Sequence, residues 1–113
     1  MSALISRVNA NNAHLSYRDG GDMMALSLYL RTGGPNQAGA RAALNKLFDR
    51  TNTCQNAAGY WGYGCNASND SSTTQLVMAG LAAAKSVYND PNPAYSDPAR
   101  LASLNALVLR TAQ

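Results

Sequence analysis

A duplicated block does most to limit what this chain can become. Leu44-Asn45-x-Leu47-x-x-Arg50-Thr51 returns sixty residues later as Leu104-Asn105-x-Leu107-x-x-Arg110-Thr111. A block repeated at that interval is the mark of supersecondary units that stack on one another. Ahead of each block lies an apolar segment, and ahead of that an aromatic one. Leu15-Ser16-Tyr17 before Asp22 resembles Trp61-Gly62-Tyr63 before Asp70. Each unit therefore reads as aromatic loop, aspartate, apolar segment, turn and amphipathic segment. The first unit spans about 15–53 and the second about 59–113.

Hydrophobic spacing assigns the segments to helices. Met23 to Arg31 is the first, with Asp22 as its expected N-cap, because a carboxylate there can accept an orphan backbone N–H. Gly33-Gly34-Pro35 stops it. Ala40, Ala43, Leu44, Leu47 and Phe48 fall on one face of a second helix over 38–48. A third is expected from Asp70 or Ser71 to Val87. Its Leu76, Val77, Met78 and Leu81, mixed with alanines, are apolar nearly all round, a pattern that predicts burial on several sides. Asn89-Asp90-Pro91-Asn92-Pro93 ends it. The fourth starts with Asp97 as N-cap and Pro98 at the first helical position, and carries Leu101, Leu104, Leu107 and Val108. No strand is predicted, since the glycines around Tyr60–Tyr63 favour a loop. The expected fold class is all-α: two tandem helical hairpins, about four main helices, in one domain or repeat fragment covering 1–113.

The connection from Thr51 to Asn69 is long for a compact helical protein, and such loops are usually functional or tied down. Cys54 and Cys65 lie within it, eleven positions apart, and bracket its aromatic-glycine segment. A bridge between them would stabilise by roughly 2–3 kcal/mol in the chain-entropy model and would require an oxidising compartment. Two reduced thiols in a cytosolic loop are the alternative. Few lysines and many asparagines favour the bridge and an extracellular or periplasmic location. Asn66-Ala67-Ser68 and Asn69-Asp70-Ser71 are formal glycosylation sequons.

Within that connection, Gln55-x-x-x-Gly59-x-Trp61 resembles the Gln-Trp motif of squalene and oxidosqualene cyclases. Trp61-Gly62-Tyr63 followed by Asp70-x-Ser72-x-Thr74-Gln75 is similar to a pattern in bacterial proteins built from prenyltransferase and squalene-oxidase repeats. Tyr17-Arg18-x-x-Gly21-Asp22-Met23 resembles the same place in another of those repeats. The likeness covers about 15–87. It implies an α/α toroid, in which inner and outer helices alternate, and a fastening role for Gln55 and Trp61 between neighbouring helices. An amide can serve open helix ends, and an indole supplies a large buried face. Gly59, Tyr63, Asp70, Thr74 and Gln75 complete the structural motif. Tyr60, Trp61 and Tyr63 could instead face a ligand, stacking on sugars or bases.

The chain departs from those enzymes where their chemistry lies. It has no Asp-x-Asp-Asp acid motif for protonating a polyene. The zinc set of protein prenyltransferases needs Asp, Cys and His, whereas His14 is the sole histidine here and both cysteines flank one loop. That spacing matches no usual zinc site. The Asn/Asp clusters lack the position pattern of a calcium loop, and caps and turns account for them. A serine nucleophile has no Gly-x-Ser-x-Gly elbow, and Asp19 and Asp22 flank what reads as a Gly-Gly turn. Gly59-x-x-Gly62-x-Gly64 lacks the lysine of a phosphate cradle. No catalytic residue, metal or cofactor is therefore expected.

The net charge of +3 comes from scattered arginines, with no basic run of the kind that binds nucleic acid. No stretch reaches the ~20 apolar residues of a membrane span. Met1 to Val8 is too short and polar for a secretory signal. Two hairpins are also fewer than the three or so repeats that usually stand alone. The expected partners are further helical repeats or copies of the chain, and the expected function is a non-catalytic module for recognition or assembly. A fragment of a cyclase-like enzyme lacking its acid motif, and a self-assembling subunit of a ring or filament, are the alternatives.

Overall fold

The computed structural model describes residues 2–10, 16–32, 34–56, 59–62, 64, 71–93 and 95–112. Five helices carry the fold: α1 (Ser2–Ala10), α2 (Ser16–Thr32), α3 (Gln37–Cys54), α4 (Ser71–Tyr88) and α5 (Pro98–Ala112). Among the described residues there is no strand, so the protein is all-α.

The helices form two layers in a slab of 38 × 28 × 18 Å. One layer is the pair α2 and α4. Gly20 lies on the Leu76 and Val77 backbone near the start of both helices, and the Arg31 guanidinium reaches the Ser86 carbonyl near their ends. The two therefore run parallel. Against them pack α1, α3 and α5. Asp49 pairs with Arg100 early in α5 and Gln55 bonds to Leu107 late in it, so α3 and α5 also run parallel. α2–α3 and α4–α5 are antiparallel hairpins, and the core lies between the layers. Met23, Leu26 and Leu30 of α2 and Val77 and Leu81 of α4 meet Leu44, Leu47 and Phe48 of α3 there.

Helix starts follow from local chemistry. Asn36 caps α3 with its side chain on the Gly39 N–H, in the left-handed conformation that asparagine tolerates better than most residues. Asp97 caps α5 through the Arg100 N–H, directly ahead of Pro98. α3 continues six residues beyond Phe48, with Thr51 and Cys54 still on its buried face.

Four features differ from the sequence expectation. α1 is a fifth helix; Ile5 and Val8 bury one side of it, but nine residues are too few for a clear periodic signal. α2 begins at Ser16, so Asp22 is an interior residue and not an N-cap, and Gly20-Gly21 lies in helix and not in a turn. Glycines disfavour a helix locally, but here Gly20 permits the close approach of α4, and packing overrides propensity. Ser16 and Trp61-Gly62 are also not equivalent positions: Ser16 is helical, Gly62 is not, and the serine hydroxyl donates to the Gly62 carbonyl. Finally, α4 is not buried all round. Ala79 and Ala82 face solvent with Gln75 and Lys85; the apolar appearance came from alanines, which cost little to expose.

Candidate functional site

The Gln55–Trp61 segment leaves the end of α3 and crosses to the start of α4. Trp61 is fully buried. Its indole N–H donates to the Thr51 carbonyl at 3.0 Å, satisfying an acceptor in the last turn of α3. Its backbone N–H donates to the Thr74 hydroxyl, and its carbonyl accepts from the Thr73 and Thr74 hydroxyls. One residue thus ties the C-terminal turn of α3 to the N-terminal turn of α4.

Gln55 does the same for α5. Its amide nitrogen donates to the Gly59 carbonyl at 3.0 Å and to the Leu107 carbonyl at 3.2 Å. Gly59 sits at φ 92, in the region where a side chain would be strained, and the Asn56 carbonyl accepts its N–H. The Asn56 side chain in turn accepts from the Tyr60 N–H. The short loop is therefore wound on itself and pinned to three helices.

Of the three aromatics considered for ligand stacking, Trp61 has no exposed face, which rules it out as a ligand-facing ring. Tyr60 is half-buried, and Tyr63 lies outside the described residues. Gln75 is exposed on α4 and makes no part of the junction, whereas Thr74 is central to it. Asp70, Cys65 and His14 also lie outside the described residues. Cys54 is buried and carries no free thiol.

Sequence reasoning missed two polar centres. Asp19 is fully buried and receives two hydrogen bonds from Arg50, Nε–H at 2.7 Å and Nη2–H at 2.6 Å. This bidentate pair joins α2 to α3 beside the Trp61 junction. Arg50 belongs to the duplicated block, but nothing local in the sequence announced its partner. The second centre lies against the middle of α3, at Asn45, Phe48 and Asp49. Tyr88 caps the end of α4 against Phe48 in an edge-to-face contact of 5.6 Å and donates to Asn45. Burial holds its phenol well above the usual tyrosine range. Next to it, Arg100 bridges Asp49 and Asp97. Its hydrogen bonds to Asp49 raise the guanidinium further. Burial alone would raise the Asp97 carboxyl, but the bonds from the Arg100 N–H and guanidinium bring it below the ordinary carboxylate range.

An open cleft of about 540 Å³ lies above this centre, lined by Gln37, Arg41 and Asn45 at four-residue spacing along α3, by Ala38 and Ala42, and by Tyr95. The Tyr95 hydroxyl is within reach of the Leu30 carbonyl and the Gln37 amide oxygen, and Arg41 donates to the Ser96 carbonyl. These contacts hold the α4–α5 turn to α3. Among the described residues no group of three or more His, Cys, Asp or Glu is gathered as a metal site would require, and no helix is long and apolar enough to cross a membrane.

Comparison with family models, curated proteins and solved structures returned no match.

Proposed function

We propose that this chain is a non-catalytic α/α repeat module whose work is recognition or assembly, as part of a larger helical array or oligomer of the squalene-cyclase-like repeat type. The observation that carries this is the use made of Gln55 and Trp61. Both are buried, and their N–H groups are directed at the last turn of α3, at α5 and at the first turn of α4. A side chain so engaged fastens hairpins and is withdrawn from any ligand. The parallel runs α2/α4 and α3/α5 support the same reading, because stacked hairpins repeat their direction.

The reading includes a Cys54–Cys65 bridge and an extracellular or periplasmic setting. What supports the bridge is that Cys54 has no free thiol and that Cys65 is the other cysteine of the chain.

The test is a lengthened chain, in which a second copy of residues 55–112 follows Gln113. Stacked repeats gain stability from each new neighbour. The lengthened protein should unfold in one transition at a higher temperature than the parent. Two separate transitions, or an unchanged midpoint, would argue that the hairpins do not form a repeat array.

A further inference from the structure

The open cleft beside α3 has a chemistry that the Gln55–Trp61 junction does not use. Ala38, Arg41, Ala42 and Asn45 line it at helical spacing from one face of α3, and Tyr95 lines it from the α4–α5 turn. Gln37 completes the lining, with both ends of its amide spent. Its Nε2–H donates to the Gly34 carbonyl at 2.7 Å, and its Oε1 lies 3.3 Å from the Tyr95 hydroxyl. A volume of about 540 Å³ is in the usual range for a small-molecule site.

Arg41 and Asn45 are each held on one side and open on the other. The Arg41 Nη2–H donates to the Ser96 carbonyl at 3.2 Å. Its Nη1 bonds to none of the described residues and is not buried, while its Nε is buried without a partner. A guanidinium bonded through a single nitrogen is short of acceptors. The Asn45 Oδ1 accepts from the Tyr88 hydroxyl at 2.9 Å, which turns the Nδ2–H groups the other way, where they bond to none of the described residues. Both open groups are therefore donors, four residues apart on one helix face, and each is fixed from behind. Sixty residues on, the position matching Arg41 holds Leu101, packed against the core, so the helix register itself does not require a charge there.

Two fixed donors, one of them cationic, match an acceptor with two oxygens in one plane, and a carboxylate is such a group. The charge at the site limits the choice further. Asp97 lies 4.0 Å from the Arg41 Nη2 and already offsets part of its charge. A dianion such as phosphate meets net repulsion in that setting, whereas a monoanion does not. The rest of the lining is apolar: the exposed Ala38 and Ala42 and the ring of Tyr95. We propose that this cleft binds a small monocarboxylate with an apolar body, its carboxylate on Arg41 and Asn45 and its body over Ala38 and Ala42 against Tyr95. None of these residues belongs to the junction, so the site and the repeat array stand or fall separately.

Titration of the full chain with sodium benzoate, followed by NMR, tests it. The Asn45 side-chain amide and the Arg41 Nε–H should shift together and saturate at millimolar benzoate or below. Benzamide keeps the ring and lacks the charge; it should bind about tenfold more weakly or worse. Inorganic phosphate should not displace benzoate. Asn45→Asp retains an acceptor for Tyr88 but turns the open donor into a like charge. Ala42→Leu fills the cleft from an exposed position. Each should weaken benzoate binding by about tenfold or more while keeping the helical spectrum of the parent. Absence of a saturable shift at those two side chains up to tens of millimolar benzoate, or binding indifferent to Asn45→Asp, overturns the proposal. Displacement by phosphate as effective as that by acetate would make the cleft a general anion site and overturns the choice of a carboxylate. The lengthened chain described above reads the repeat array without involving the cleft, so failure of one leaves the other standing.

Discussion

Trp61 has its ring enclosed and both its indole and backbone groups bonded to neighbouring helix ends. Truncation to alanine should cost about 3–5 kcal/mol, the usual range for a large buried aromatic, measured as a drop in urea-unfolding free energy. A near-neutral result would place the indole at the surface. The neighbouring glycines give a sharper test, because Gly20 and Gly21 share one helix and gain the same intrinsic helix propensity on becoming alanine, on the order of 1 kcal/mol. A Cβ on Gly20 would come within 2.6 Å of the Leu76 carbonyl oxygen, whereas one on Gly21 meets nothing within 4 Å. Gly21→Ala should therefore raise the thermal midpoint and Gly20→Ala should lower it, with the overpacking cost of about 1–3 kcal/mol exceeding the propensity gain. Equal shifts for the two variants would mean that α2 and α4 do not approach so closely.

Helix α5 starts at a cap whose charge state can be titrated. The folded protein holds the Asp97 carboxyl below its ordinary value, so it binds that proton less readily than the unfolded chain does. The resulting stabilisation is present above the unfolded value of about 3.9 and is lost as pH falls through the lower folded value. Asp97→Asn keeps a good capping residue but removes the titration. Its urea midpoint should fall less steeply than that of the parent as pH drops below about 4, and parallel curves would assign the acid sensitivity to other carboxylates. This start was readable from sequence because Asp97-Pro98 is a local signal. The same holds for the stripe on α3 and for the stop after Tyr88. What could not be read was set by distant partners. The start of α2 at Ser16 depends on Gly20 meeting Leu76, and the burial of Asp19 depends on Arg50, thirty-one residues away. α1 holds its place through Arg7 on Asp22 and through Lys46 on the Asn9 carbonyl. None of these contacts leaves a periodic trace in the chain.

For the molecule as a whole, the junction at Gln55 and Trp61 was legible as a motif, and its fastening role was what the cyclase resemblance implied, but its partners emerged only in three dimensions. Leu107 lies fifty-two residues from Gln55, and its carbonyl is one amide among many in α5. The two hairpins meet mainly along α2 and α4, where Gly20 and Gly80 leave backbone against backbone, and again through Gln55 on α5. If that contact makes the hairpins one body, they should open together. Native-state hydrogen exchange reads this directly. The amides in the middle of α2 and α4 should exchange with one common opening free energy, equal to that of global unfolding, and Gly80→Ala should lower both by the same amount. Exchange from α4 and α5 at a lower free energy, with α2 and α3 still protected and indifferent to Gly80→Ala, would contradict the stacked-hairpin account.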